Sequence, residues 1–271
     1  MKIYISSDIE GISGITAINQ VLPVERDYQR SRELMTQEVN AAFEGAIEIG
    51  ATEIVVNDLH GVGTNILIES LNSKAQLITG PSHKGAMMEG LDSSFDAAIF
   101  IGYHSRMNVS GVLSHSFHGG VISNININGK DAGEFYMNAC VAGHFNVPVV
   151  LVSGDNILEQ EVKDINSAIE TVVAKTSYGR YAAKCLIPSV ASEKIIEKSK
   201  VALLNARSIN PIKIQGPLEM RVTFLNSGQA ESASIMPGTE IVSPNIVLYS
   251  GKTIIDIYRA LTAMIKIANS N

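Results

Sequence analysis

Apolar and polar positions alternate between two rhythms along the chain. Nearly continuous apolar runs of strand length occur at KIYIS (2–6), TEIVVND (52–58), AQLITG (75–80), DAAIFIGYH (96–104) and VPVVLVSGD (147–155). Between them lie segments with a helical period. In YQRSRELMTQEVNAAFEGAIEIG, residues Leu34, Met35, Val39, Phe43, Ala46 and Ile47 share one face, and Gly50 provides a stop. A short helical segment is expected from Ile66 to Leu71, and another helix at EFYMNACVAGHF. Strands that alternate with helices predict an α/β fold, with a mostly parallel sheet and helices on both faces.

One insertion breaks the rhythm. VISNININGKDAG (121–133) carries Asn128-Gly129, a hairpin turn signal ahead of the EFYMNACVAGHF helix. Further on, SAIETVVAKTSYGRYAAKCL reads as a strand followed by a polar loop, SEKIIEKSKVALLNA (192–206) as an amphipathic helix, LEMRVTFLN as a half-exposed strand and KTIIDIYRALTAMIKIA as a closing helix. The chain shows no internal repeat and no low-complexity linker. This pattern reads as a single domain over residues 1–271, with room for a smaller C-terminal α/β lobe beginning near residue 160.

The 271 residues carry 21 basic and 27 acidic side chains, a formal charge of -6, with no basic block. That balance argues against a nucleic-acid partner. No run approaches the roughly 18 apolar residues of a membrane span, and the N-terminus lacks the pattern of a secretion signal. Cys140 and Cys185 stand in apolar surroundings and suit a reducing compartment, so a cytoplasmic location is expected.

Candidate chemistry gathers at strand ends. The first strand ends Asp8-Ile9-Glu10, the second Asp58-Leu59-His60 and a later one Gly102-Tyr103-His104. Ligands of open parallel sheets bind beyond such ends. Each residue has a plain explanation by itself: an Asp there caps a turn, and a lone His is a hydrogen-bonded, partly buried one. Together, two carboxylates and two imidazoles make a mixed oxygen and nitrogen set that suits zinc, or manganese or cobalt. Glu134, at a helix start, is favoured there by the helix dipole and is also a plausible fifth ligand; a two-metal site needs such an anion, with Asp8 bridging cations about 3.5–4 Å apart. Gly11 and Gly14 would give the backbone room around the metal.

GVLSHSFHGG (111–120) sets His115 and His118 on a loop of small residues that can approach a substrate closely. Ser114 and Ser116 lack a nucleophile-elbow pattern. His83 and His144 read as surface or helix-end residues, and Arg106 as the one basic residue close to these motifs.

These motifs together resemble the zinc-dependent D-aminopeptidases. SSDIEG is similar to that family's Ser-x-Asp-x-Glu-Gly signature, and the likeness continues in order through YQRSRELMTQEVNAA, VNDLHG, GYHS, GVLSHS, NGKDAGEFYMNA, VPVVLVSGD and QAESASIMPGTE. The resemblance implies two Zn2+ per chain held by Asp8, Glu10, His60, His104 and Glu134, with Asp8 shared. It implies His115 as the catalytic histidine, short peptides with N-terminal D-residues as substrates, and a homodecamer of two stacked pentameric rings. Two other classes stay open at this point: a dinuclear metal phosphoesterase, which could use the same ligands, and a non-catalytic peptide-binding protein, which would need no metal pair.

Overall fold

A computed structural model describes residues 1–81 and 85–270; His83 lies outside the described residues. The strands are β1 (Lys2–Ser7), β2 (Glu53–Asp58), β3 (Gln76–Ile78), β4 (Ala97–Ile101), β5 (Ile122–Ile127), β6 (Lys130–Asp131), β7 (Val149–Asp155), β8 (Glu170–Gly179), β9 (Ala182–Cys185), β10 (Leu218–Phe224), β11 (Thr239–Ser243) and β12 (Ile246–Gly251). The helices are α1 (Tyr28–Glu48), α2 (Glu134–His144), α3 (Asn156–Ile165), α4 (Pro188–Leu204), α5 (Ser227–Ala233) and α6 (Ile254–Ala268).

Sheet A runs β3-β2-β1-β4-β7-β8-β9 and is parallel except for the β8–β9 pair. Its central strands are buried along their length, which is why they read as continuous apolar runs rather than alternations. Helices α1 and α4 flank it, packed so closely that a Cβ on Gly45 would stand 2.7 Å from the Ile196 carbonyl. Sheet B runs β11-β12-β10-β5-β6 and is antiparallel. Its β10 alternates buried and exposed positions, with α5 and α6 packed on it.

Four local readings need correction or refinement. Residues 66–71 form turns and bends rather than a helix, with the Asn65 and Ile66 amides bonded to Asp58 ahead of them. The expected polar loop after β8 folds back as β9, with Gly179 at positive φ in the reversal. Strands β11 and β12 are two further elements outside the expected pattern, although β12 carries the apolar run IVLY (246–249). Residue 160 lies within α3, while the change of sheet comes at 122–131 and again from 218. The hairpin at Asn128-Gly129 forms as its signal suggests, with φ of 51° and 84°. No helix among the described residues is long and apolar enough to cross a membrane.

Candidate metal centre

β1, β2 and β4 are neighbours in sheet A, so their carboxyl ends open on one edge. Asp8 and Glu10 follow β1, His60 follows β2 and His104 follows β4. The turns after β1 and β4 are pressed together. The Asp8 amide donates to the Ile101 carbonyl at 2.9 Å and the Gly11 amide to the Gly102 carbonyl at 2.7 Å. A Cβ on Gly11 would lie inside the backbone of Gly102 and Tyr103, so glycine is required for the contact between the two turns.

The side chains form two groups that share Asp8. Its Oδ1 lies 3.4 Å from His60 Nδ1, which is also 3.0 Å from Glu10 Oε2. Its Oδ2 lies 3.5 Å from His104 Nε2, which is also 3.2 Å from Glu134 Oε1. Backbone carbonyls hold the far nitrogens of the rings. His60 Nε2–H donates to Val21 O at 2.8 Å and His104 Nδ1–H to Ser105 O at 2.9 Å. In the neutral rings those bonds leave bare lone pairs aimed at carboxylate oxygens, which are acceptors too. Two buried atoms of this set, His104 Nε2 and Glu10 Oε2, make no hydrogen bond.

Such a face-off of acceptors is relieved by a proton or by a metal cation. Oxygen and nitrogen donors 2.0–2.1 Å from a tetrahedral zinc stand about 3.3 Å apart, which the observed spacings resemble. The donor set therefore fits zinc. The protein groups alone show the same tension. Burial, then the neighbouring Glu10, pushes the Asp8 carboxyl up to about 8. Burial would also raise Glu10 and Glu134, yet His60 beside the first and His104 beside the second hold both below the usual carboxylate range. Burial would lower His104, but Glu134 and Asp8 carry it up to about 10, and Glu10 with Asp8 likewise raises His60.

His115 reaches the same place from the 111–120 loop. Asp155, the N-cap of α3, accepts from the Val112 amide at 2.7 Å, and Glu134 Oε1 accepts from the Phe117 amide at 2.6 Å. The ring stacks on His104 with centroids 4.0 Å apart, and its Nε2 is 3.8 Å from Glu134 Oε1. Nδ1–H donates to Leu113 O at 3.0 Å. Burial, then the His104 charge, lowers its affinity for a proton. The two serines brace this loop: Ser114 Oγ donates to Val109 O at 2.9 Å and Ser116 Oγ accepts from the Met107 amide at 3.1 Å.

All six expected site residues thus converge, and all but His104 line a cleft of about 520 Å³. Asp58 does not join them; it accepts the Asn65 side chain and Ile66 amide, both at 2.7 Å, as a turn cap. His118 lines the cleft, while His144 is exposed at the end of α2. Arg106 is directed elsewhere, 3.8 Å from Asp131 and 3.9 Å from Glu161. The basic residue on the cleft wall is Arg180, at the β8–β9 turn. A second residue absent from the sequence reading is Lys175 on β8. It is buried, and its ammonium donates to the carbonyls of Glu10, Ile12 and Ile15. A lysine directly after the short apolar run VVA (172–174) was its only signal.

Comparison with known proteins agrees with this geometry. A family model described as D-aminopeptidase matches residues 1–263. The D-aminopeptidase of Bacillus subtilis (strain 168) is 38% identical over 269 residues, 99% of this chain and 98% of that one. The structure of the Zn-dependent D-aminopeptidase DppA from Bacillus subtilis, described as a self-compartmentalizing protease, superposes with a TM-score of 0.97 at 37% identity, covering 100% of this chain and 99% of that one. The chain belongs to the D-aminopeptidase family.

Proposed function

We propose that this chain, acting as one D-aminopeptidase-like unit over residues 1–271, releases N-terminal D-amino acids from short peptides at a pair of zinc ions. Membership of the family makes it a metal-dependent hydrolase of the aminopeptidase kind and sets the phosphoesterase reading aside. The finer assignment rests on one observation: the two oxygens of Asp8 face two different histidines, at 3.4 and 3.5 Å. In this reading Asp8, Glu10 and His60 hold one ion, and Asp8, His104 and Glu134 hold the other. Bound there, zinc would supply Lewis-acid polarisation of the scissile carbonyl and acidify a water toward neutral pH.

The remaining work falls to the chain's own side chains. A carboxylate beside the zinc ions helps to anchor the free amine of the substrate by accepting a hydrogen bond from it. His115, with Nδ1–H given to Leu113, presents Nε2 as a lone pair and takes up a proton beside Glu134. Its depressed proton affinity keeps it neutral for that role at neutral pH.

The self-compartmentalizing relative supports a homo-oligomer for this chain too, and we assign it a cytoplasmic homodecamer that admits short peptides only. Metal analysis should find two zinc ions per chain. Matched D-Ala and L-Ala tripeptides should be cleaved with a preference for the D form, and light scattering should report ten chains of 29.1 kDa. A metal-free protein with full activity, or equal rates on D and L peptides, would overturn the corresponding part.

A further inference from the structure

Resting on the aminopeptidase reading above, we propose that Arg180 binds the C-terminal carboxylate of the substrate and restricts the protein to very short peptides with a free acid end. Among the described residues that line the cleft, Arg180 is the one arginine or lysine. The same cleft is lined by His115 and by four of the proposed zinc ligands, Asp8, Glu10, His60 and Glu134. A short peptide whose N-terminal residue is held at the zinc ions carries its own free carboxylate only a residue or two away, and Arg180 is the cation of the cleft wall that can pair with it.

The local bonding of Arg180 leaves part of its fork free. The β8–β9 turn is tied to the His115 loop, because the Leu113 amide donates to the Arg180 carbonyl at 2.9 Å. The guanidinium donates from Nη1 to the Ser114 carbonyl, with the Ser114 hydroxyl at 3.4 Å, and from Nε to the Tyr181 hydroxyl at 3.1 Å. Nη2 has no partner among the described residues, and no described carboxylate pairs with Arg180, whereas Arg221 has Glu219 at 2.8 Å. A guanidinium keeps its charge at any ordinary pH, and its planar N–H donors suit a carboxylate. Bracing Ser114 uses only one corner of it. The Ser114 bond also fixes Arg180 one residue from His115, so the carboxylate subsite and the catalytic loop move as one piece.

The experiment compares D-alanyl-D-alanine with its C-terminal amide on the zinc-loaded parent, Arg180→Gln and Arg180→Lys. The parent should favour the free acid. In Arg180→Gln the acid-to-amide ratio of kcat/KM should fall roughly 10- to 100-fold, mainly through KM, as expected for loss of a hydrogen bond to a charged group. Arg180→Lys should recover part of the ratio, because it keeps the charge without the fork. A loss common to both peptides reports the brace on Ser114 and cancels in the ratio. An unchanged ratio in Arg180→Gln, or a parent that cleaves acid and amide equally well, overturns the subsite and leaves the aminopeptidase reading standing. A parent that cleaves neither removes both. Should Arg180→Gln fail to fold, the parent ratio and Arg180→Lys decide the matter.

Discussion

On one side of residues 8–15, the carboxylates of Asp8 and Glu10 face His60, His104 and Glu134; on the other, the carbonyls of Glu10, Ile12 and Ile15 close around the ammonium of Lys175. Both clusters are buried and charged. Beneath the loop, an ammonium with three N–H donors meets three carbonyls, so nothing further is needed. At the rim, acceptors meet acceptors, and Glu10 Oε2 and His104 Nε2 make no hydrogen bond. A buried polar group without a partner is costly, so the rim is the cluster shaped for a ligand from outside and the underside is its mount.

The strongest way to break this contrast is Asp8→Ala, which removes the group common to both halves of the rim. Zinc content should fall from two ions per chain toward none and peptidase activity to the limit of detection, while the mount and the fold survive. A variant that keeps one fully occupied ion would show that Asp8 does not bridge. His115→Ala tests the rim from the other direction, since its ring stacks on His104 without belonging to the proposed ligand set. It should lower kcat by about 10²- to 10⁴-fold, the usual contribution of a positioned acid or base, with zinc content unchanged. Near-parental turnover would shift attention to His118, the other histidine of that loop on the cleft wall.

This contrast also separates what the sequence discloses from what it hides. Asp8, Glu10, His60 and His104 are legible because each follows an apolar run, and parallel pairing of β1 with β2 and β4 carries the three run ends to one edge. Glu134 is legible as the first residue of a helix. Lys175 and Arg180 are not, because their roles depend on chain far away: Ile12 is 163 positions from Lys175, and Ser114 is 66 from Arg180. A turn residue shows no periodicity, so Arg180 merged into an expected polar loop, and Arg106 was the basic residue that stood near the motifs in sequence. Strands β11 and β12 were hidden for another reason. β11 is largely exposed and offers only a short apolar pair, while the run IVLY (246–249) of β12 follows no helix that would place it in the α/β rhythm.

Lys175→Met should act on the mount first and on the rim through it. Three carbonyls would lose their donor, with a stability cost of about 3 kcal/mol in chemical denaturation. With Glu10 held less firmly, zinc affinity should weaken about 10- to 100-fold, as for other supports of ligand groups. Saturating zinc should restore kcat. A variant as stable and as zinc-avid as the parent would deny Lys175 any part in shaping the loop.

The effect confined to one pH window, and remote from catalysis, belongs to Glu38, on α1 below the same loop. Its Oε1 accepts from the Ser13 amide at 2.9 Å, and its Oε2 is buried without a hydrogen-bond partner. Burial pushes this carboxyl up to about 7 from its ordinary 4.5, with the Ser13 bond and Lys175 pulling the other way. Between those values the folded protein keeps a proton that the unfolded chain releases. Stability must therefore fall as pH rises through that window, by at most ~1.4 kcal/mol per pH unit, and this contribution levels off above the folded value. Zinc binding has a pH dependence of its own, which operates in parent and variant alike, so the informative quantity is the difference between them. Glu38→Gln keeps an acceptor for Ser13 and removes the titration. The parent's stability relative to Glu38→Gln, from urea denaturation at fixed zinc, should decline from about pH 5 to about pH 7 and then stay flat. Two parallel curves over that range would mean that Glu38 is not the titrating group, and that Lys175 and the loop backbone set the charge balance under the rim without it.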